Sequence, residues 1–241
     1  MTMVWSPDYA PVDGDFDSVS LLLKGEGADT STTILDSSKN NLSVSVVGDA
    51  QISTAVATPF SPTVPSDGVL AFDGTGDYLT VPGDEGFNML NTDITFETWF
   101  KLNSTSSSNT SLFSVGGSTG YYQLLVNGPS INLNSSPNGT TFYQFEALQT
   151  FDTNWHHIAL TKSGSTYRIF YDGININATG TVTNNIQNNE LFIAENFAGG
   201  GPLNGYLSNF RITKGVARYT ENFDVPTAPF PIYSPTTRTQ A

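Results

Sequence analysis

The 241 residues include no cysteine, so neither a disulfide framework nor a thiolate metal site is available. Histidine is nearly absent too: His156 and His157 are the only two. Nine basic residues stand against 22 acidic ones, for a net charge of −13. That balance excludes a surface for phosphate backbones, which needs lysine and arginine to displace counterions, so no nucleic-acid partner is expected. Charge of either sign is scarce, at 13% of residues, so polarity must come from uncharged groups. No run of about eighteen apolar residues occurs, and no membrane insertion is expected. The opening stretch MTMVWSPDYAPVDGD has neither a basic nor an apolar run, which predicts no secretory signal and synthesis in a cytoplasm. Long helical periodicity is missing as well, with room for one helical turn at 214–219.

What is present is turn chemistry and alternation. Ser, Thr, Asn and Gly supply the polarity, and they suit a turn-rich β structure. Aromatic residues make up 12% and recur inside alternating runs, which argues against disorder. The length is enough to bury the core of one large sandwich.

The clearest element is the hairpin at 153–173, TNWHHIALTKSGSTYRIFYDG. Trp155, His157, Ala159 and Thr161 alternate with His156, Ile158, Leu160 and Lys162, so the two sets point to opposite faces of a strand. Ser163 and Gly164 turn the chain, and 167–171 returns it. Both faces carry large apolar groups, which predicts inner strands covered on both sides. Further strands are expected at 19–23, 44–47, 69–72, 78–81, 94–102, 112–115, 121–126, 131–134, 140–146, 191–195 and 205–213. Pro59, Pro62 and Pro65 predict a long loop over 52–67. An N-terminal arm at 1–17 and a Pro-rich tail at 226–241, free or docked on neighbours, flank one domain at 18–225. Many short strands between turn signals predict an all-β sandwich or jelly roll.

Four stretches together resemble the laminin-G-like branch of the concanavalin A-like lectin and glucanase superfamily. They are LAFDGTGDYLTVP, DITFETWFKL, NWHHIALTKSGSTYRIFYDG and LNGYLSNFRITKGVARYTENF. The resemblance covers roughly 18–230 and implies a two-sheet antiparallel jelly-roll sandwich. The RITKGVARY run also resembles modules of tailed-phage structural proteins. That likeness implies a non-enzymatic virion protein, a capsid decoration or a fibre or tail appendage. Its expected partners are other virion proteins and copies of itself, with a trimer as the expected assembly. The alternative is a carbohydrate-binding module that attaches to a host-surface glycan.

Glycoside hydrolysis needs two carboxylates across the scissile bond. The superfamily's glucanases carry theirs as Glu-x-Asp-x-x-Glu on one strand, and no such run occurs here. Glu97 shares a strand face with Trp99 and is read as a hydrogen-bonded carboxylate on a sheet. The adjacent histidines point to opposite faces, so they cannot share a metal, and structural roles are expected for both. Calcium is the one candidate cofactor. Laminin-G-like domains often hold an ion at the rim, and Asp73 and Asp77 of DGTGD are spaced as loop ligands, with Asp84 and Glu85 nearby. Many relatives carry two acidic residues before RITKG, where this chain has Ser208 and Asn209. For a sugar, Tyr121, Tyr122, Phe142 and Tyr143 are candidate platforms, and Asn127, Asn132 and Gln144 are candidate hydrogen-bonding partners.

Overall fold

The long strand β16 (Asn204–Lys214) lies near the centre of the first of two sheets. One of its edges pairs along β6 (Ile94–Leu102). The other edge is shared: Asn204 to Leu207 pair with β4 (Val69–Asp73), and Phe210 to Thr213 pair with β1 (Val19–Leu23). Between the halves the register against β6 shifts at Ser208, and Asn209 takes a left-handed backbone with φ of 55°. This bulge resets the alternation. Leu207, Phe210 and Ile212 therefore all point into the core, although strict alternation would turn the last two outward.

The computed structural model describes residues 12–60, 68–89, 91–105, 109–176, 179–180, 182 and 190–234. From β6 the first sheet continues through β11 (Trp155–Ser163), β12 (Thr166–Tyr171) and β13 (Ile174–Asn175), and beyond β4 it ends at β3 (Gln51–Ser53). The second sheet runs β14 (Thr179–Gly180), β10 (Tyr143–Leu148), β9 (Ser130–Ser136), β8 (Gly120–Asn127), β7 (Thr110–Gly117), β15 (Leu191–Ile193), β5 (Tyr78–Val81) and β2 (Ser45–Val47). All the described pairings are antiparallel. This is the jelly-roll sandwich that the sequence predicts.

The core lies between the sheets, where Phe96 of β6 stacks on Phe113 of β7 at 4.7 Å and Phe210 meets Phe113 edge-on at 5.9 Å. The opposite face of the first sheet is covered as well. After β16 the chain folds back across it. Thr95 and Thr161 donate to the carbonyls of Val216 and Tyr219, and Phe223 packs 5.4 Å from Phe170. This strap explains why the 153–173 hairpin is apolar on both faces.

Several expectations need correction. Residues 214–219 form no helix: Lys214 ends β16, and Thr95 and Thr161 hold the irregular strap that follows. The predicted loop over 52–67 begins inside a strand, β3, which pairs with β4. The described parts of both arms lie on their own domain. Asp13 N–H donates to the Tyr233 carbonyl at 2.9 Å, and Phe16, Val19, Leu22 and Phe230 form a small second core. The rest of the arm and tail, with Pro62 and Pro65, lies outside the described residues.

Candidate functional site

Three groups of polar side chains stand out, and burial separates their roles. The first is sealed under the strap. Glu97 is buried on the strap side of β6, where Arg211 Nε and Nη2 both donate to its Oε1 at 2.9 and 2.7 Å. Tyr219 donates to Oε2 at 2.9 Å. His157 Nε2 stands 3.3 Å from Oε2 without hydrogen-bond alignment. Asp13 closes the network by accepting from Arg211 and Arg218. Burial alone would push the Glu97 carboxyl up, but Arg211, then His157 and Arg218, outweigh it and hold the group down to about 2. A carboxylate so enclosed serves the fold, as the sequence reading holds.

His156 points the other way, as alternation requires. Its ring stacks on Tyr171 at 4.8 Å and bridges Asp172 (2.7 Å) and Asp152 (2.9 Å). Burial disfavours its charged form, yet the two carboxylates prevail and raise it above 6.5. This bridge ties the loop before β11 to the turn after β12, a structural role.

The second group is acidic. Asp77 is buried and accepts from the N–H groups of Asp49 (2.8 Å) and Asp73 (3.0 Å). One oxygen from each of Asp49, Asp73 and Asp77 falls within 4.8 Å of the others. The Asp49 carboxyl is raised, first by its hydrogen bond to Asp77 and then by the charges of Asp77 and Asp73. Hard carboxylate oxygens held this close fit a calcium ion in donor type. Asp49 escaped the sequence reading because it sits in the β2–β3 turn, far from DGTGD in the chain. Asp84 does not join the group; it accepts from Gly86 N–H and caps a short turn. Ser208 and Asn209 serve the bulge, where Asn209 donates to Ser208 and accepts from Phe230 N–H at 2.8 Å.

The third group is the outer face of the second sheet. Register assigns it without ambiguity. Tyr122, Leu124 and Val126 of β8 point into the core, so Tyr121, Gln123, Leu125 and Asn127 point out. Opposite them on β9 stand Ser136, Asn134, Asn132 and Ser130, and on β10 stand Gln144, Glu146 and Leu148. A polar ladder backs this face: Asn132 and Ser130 in it are buried, Gln144 is exposed, and Tyr121, Gln123 and Asn134 nearby on the face are half-buried. Gln144 donates to Asn132 Oδ1 at 2.7 Å, Asn132 to Ser130 Oγ at 3.0 Å, and Ser130 to the Asn127 carbonyl at 3.1 Å. Among the described residues, Asn134 Oδ1 and Ser136 Oγ have no partner. Two aromatic pairs share the sheet face away from the ladder: Tyr121, opposite Ser136 at the far end of β9, lies 4.8 Å from Phe197, and Tyr78 on β5 lies 6.2 Å from Phe192 on β15. The eight strands of this sheet contain no lysine or arginine, and Glu146 is their one acidic residue.

Of the four predicted platforms, Tyr121 lies on this face. Tyr122 does not; it is 0% exposed and donates to the Phe87 carbonyl from within the core. Tyr143 pairs with Ser135 and turns to the inner side with Phe145. Phe142 is 55% exposed but precedes β10, off the sheet. Gln123, Asn134, Phe192 and Phe197 were missed. Choosing them needs the parity of each strand relative to the core, and adjacent tyrosines leave that parity open.

Residues 73–220 match a laminin-G family model, described as the concanavalin A-like lectin/glucanases superfamily. The chain belongs to this superfamily. A comparison with curated proteins returns no match. Among solved structures, the receptor-binding domain of the botulinum neurotoxin C/D mosaic serotype is similar at 11% identity and a TM-score of 0.61, over 87% of this chain and 49% of that one. A type C neurotoxin structure, from work on cell entry dependent upon interaction with two ganglioside molecules, is similar at 15% identity and 0.59, over 87% and 49%. The binding domain of neurotoxin DC in complex with rat synaptotagmin II gives 14% and 0.59, over 87% and 50%. The likeness is one of fold, a lectin-like jelly roll. The chain spans about half the length of these domains.

Proposed function

We propose that this superfamily member is a non-enzymatic, lectin-like module that binds a neutral glycan on the outer face of its second sheet. The observation that carries this reading is one face that joins exposed Gln144 and half-buried Gln123 and Asn134 to the Tyr121–Phe197 pair, with the buried Asn132 and Ser130 holding Gln144 from behind. Fixed amides and hydroxyls can read sugar hydroxyls, and an aromatic ring can take a pyranose face. A face whose strands lack lysine and arginine offers no partner to an acidic sugar. The fold likeness to toxin binding domains, one of them tied to gangliosides, supports a glycan reading.

Calcium is part of the proposal. Asp49, Asp73 and Asp77 would hold it, and it would neutralise their mutual repulsion and pin the turns that carry them. The proposed setting is the exterior of a tailed-phage particle, assembled in the host cytoplasm; the resemblance of RITKGVARY to phage modules supports it. The test is a glycan array probed with folded protein, in calcium and again in a chelator. Saturable binding to neutral glycans, weakened by the chelator, is expected. Silence in both conditions would end the glycan reading, and binding indifferent to the chelator would end the calcium part.

A further inference from the structure

A second cavity, away from the polar face, opens beside the β11–β12 turn at the end of the sandwich. Its volume is about 540 Å³, within the range of small-ligand sites. Lys162 lines it. This residue ends the inward-facing series of β11, after Ile158 and Leu160, and is only 8% exposed. Its ammonium donates to the Thr92 carbonyl at 2.8 Å, and among the described residues it forms no ion pair. A buried ammonium has three donors and a large desolvation cost, which one neutral carbonyl compensates poorly. In a chain with 22 acidic residues, a buried cation beside a cavity that forms no ion pair with a described carboxylate is out of pattern.

The rest of the wall narrows the ligand. Asp93, the one carboxylate lining the cavity, accepts from the Gly164 N–H at 2.7 Å. Asn91 and Ser165 add neutral polar groups, while Met89, Tyr167 and Val182 add apolar or aromatic surface. One cation, one carboxylate already held by the Gly164 N–H, several uncharged hydrogen-bonding groups and an apolar wall match a ligand with one carboxylate near Lys162, several hydroxyls and a ring face. A free inorganic anion would need less space, and a phosphate would call for more positive charge or a nest of N–H groups.

We infer that this cavity binds a carboxylate-bearing pyranose, a hexuronate, free or at the end of a glycan. Lys162 takes the carboxylate, and Asn91, Asp93 and Ser165 take ring hydroxyls. The site is independent of the polar face, which this chain reserves for uncharged sugars.

The experiment is calorimetric titration of the full chain with glucuronate and galacturonate, and with glucose, galactose and acetate as controls. Saturable binding of a hexuronate is expected, with the neutral hexoses and acetate weaker by at least about tenfold. Lys162→Met should lose that binding while retaining its unfolding transition. Ser165 is exposed on the turn, so Ser165→Trp blocks the cavity mouth without disturbing the core, and should also weaken binding. The proposal fails if no hexuronate binds, if hexose or acetate binds as tightly, or if both variants bind hexuronate like the parent.

Discussion

Glu97, read from the sequence as a hydrogen-bonded carboxylate on a sheet, is held in that role by its neighbours. Two donors from Arg211 and the Tyr219 hydroxyl fix a carboxylate that burial alone would protonate. Glu97→Gln should therefore leave Arg211 buried and under-compensated, at a cost of about 3–5 kcal/mol in urea unfolding. The pH sign follows from the lowered carboxyl. The unfolded group titrates near 4.5 and the folded one at about 2, so its contribution is whole above 4.5 and drains away as pH falls toward 2. Stability curves of parent and variant should converge over that interval. Parallel curves would mean that the carboxylate is not held by charge.

At the scale of elements, parity decides everything. Tyr121 and Tyr122 are neighbours of one residue type, yet one borders a polar surface and the other fills the core. Tyr122→Ala should cost about 3–5 kcal/mol, as large deletions in a packed core do. Tyr121→Ala should change stability far less and reduce glycan binding instead. Equal thermal losses for the two variants would contradict the assigned faces.

The same parity marks how much was legible in the sequence. The hairpin at 153–173, the strand at 94–102 and the all-β sandwich class could be read because alternation and turn residues are local signals, while the two-sheet jelly roll came from the family resemblance. The fates of Tyr122 and Tyr143 could not, since both faces of their strands carry plausible residues. The Asp49–Asp73–Asp77 group was half visible, because two members share a turn while the third arrives by folding. The strap was invisible for another reason: its hold comes from Thr95, Thr161 and Phe170 in distant strands, and its own sequence has no period.

For the whole molecule, the strap and the described parts of both arms form a third layer over the first sheet. Phe230 joins them. Its N–H reaches the bulge at Asn209, its ring lies 3.6 Å beneath the Arg211 guanidinium, and it completes the small core with Phe16. Phe230→Ala should cost about 3 kcal/mol and loosen the clasp between Asp13 and Tyr233. Hydrogen exchange should then speed up at the Asp13 amide before it does in β6. An unchanged Asp13 amide would show that the ends are held independently of Phe230.

The outer face of the second sheet is the proposed glycan surface. Heteronuclear NMR tests it most directly, by following side-chain amide signals during titration with a neutral oligosaccharide selected on the array. The account predicts saturable shifts for Gln123, Asn132, Asn134 and Gln144, lost in Tyr121→Ala. Shifts confined to other amides, or none on saturation with the bound glycan, would contradict it.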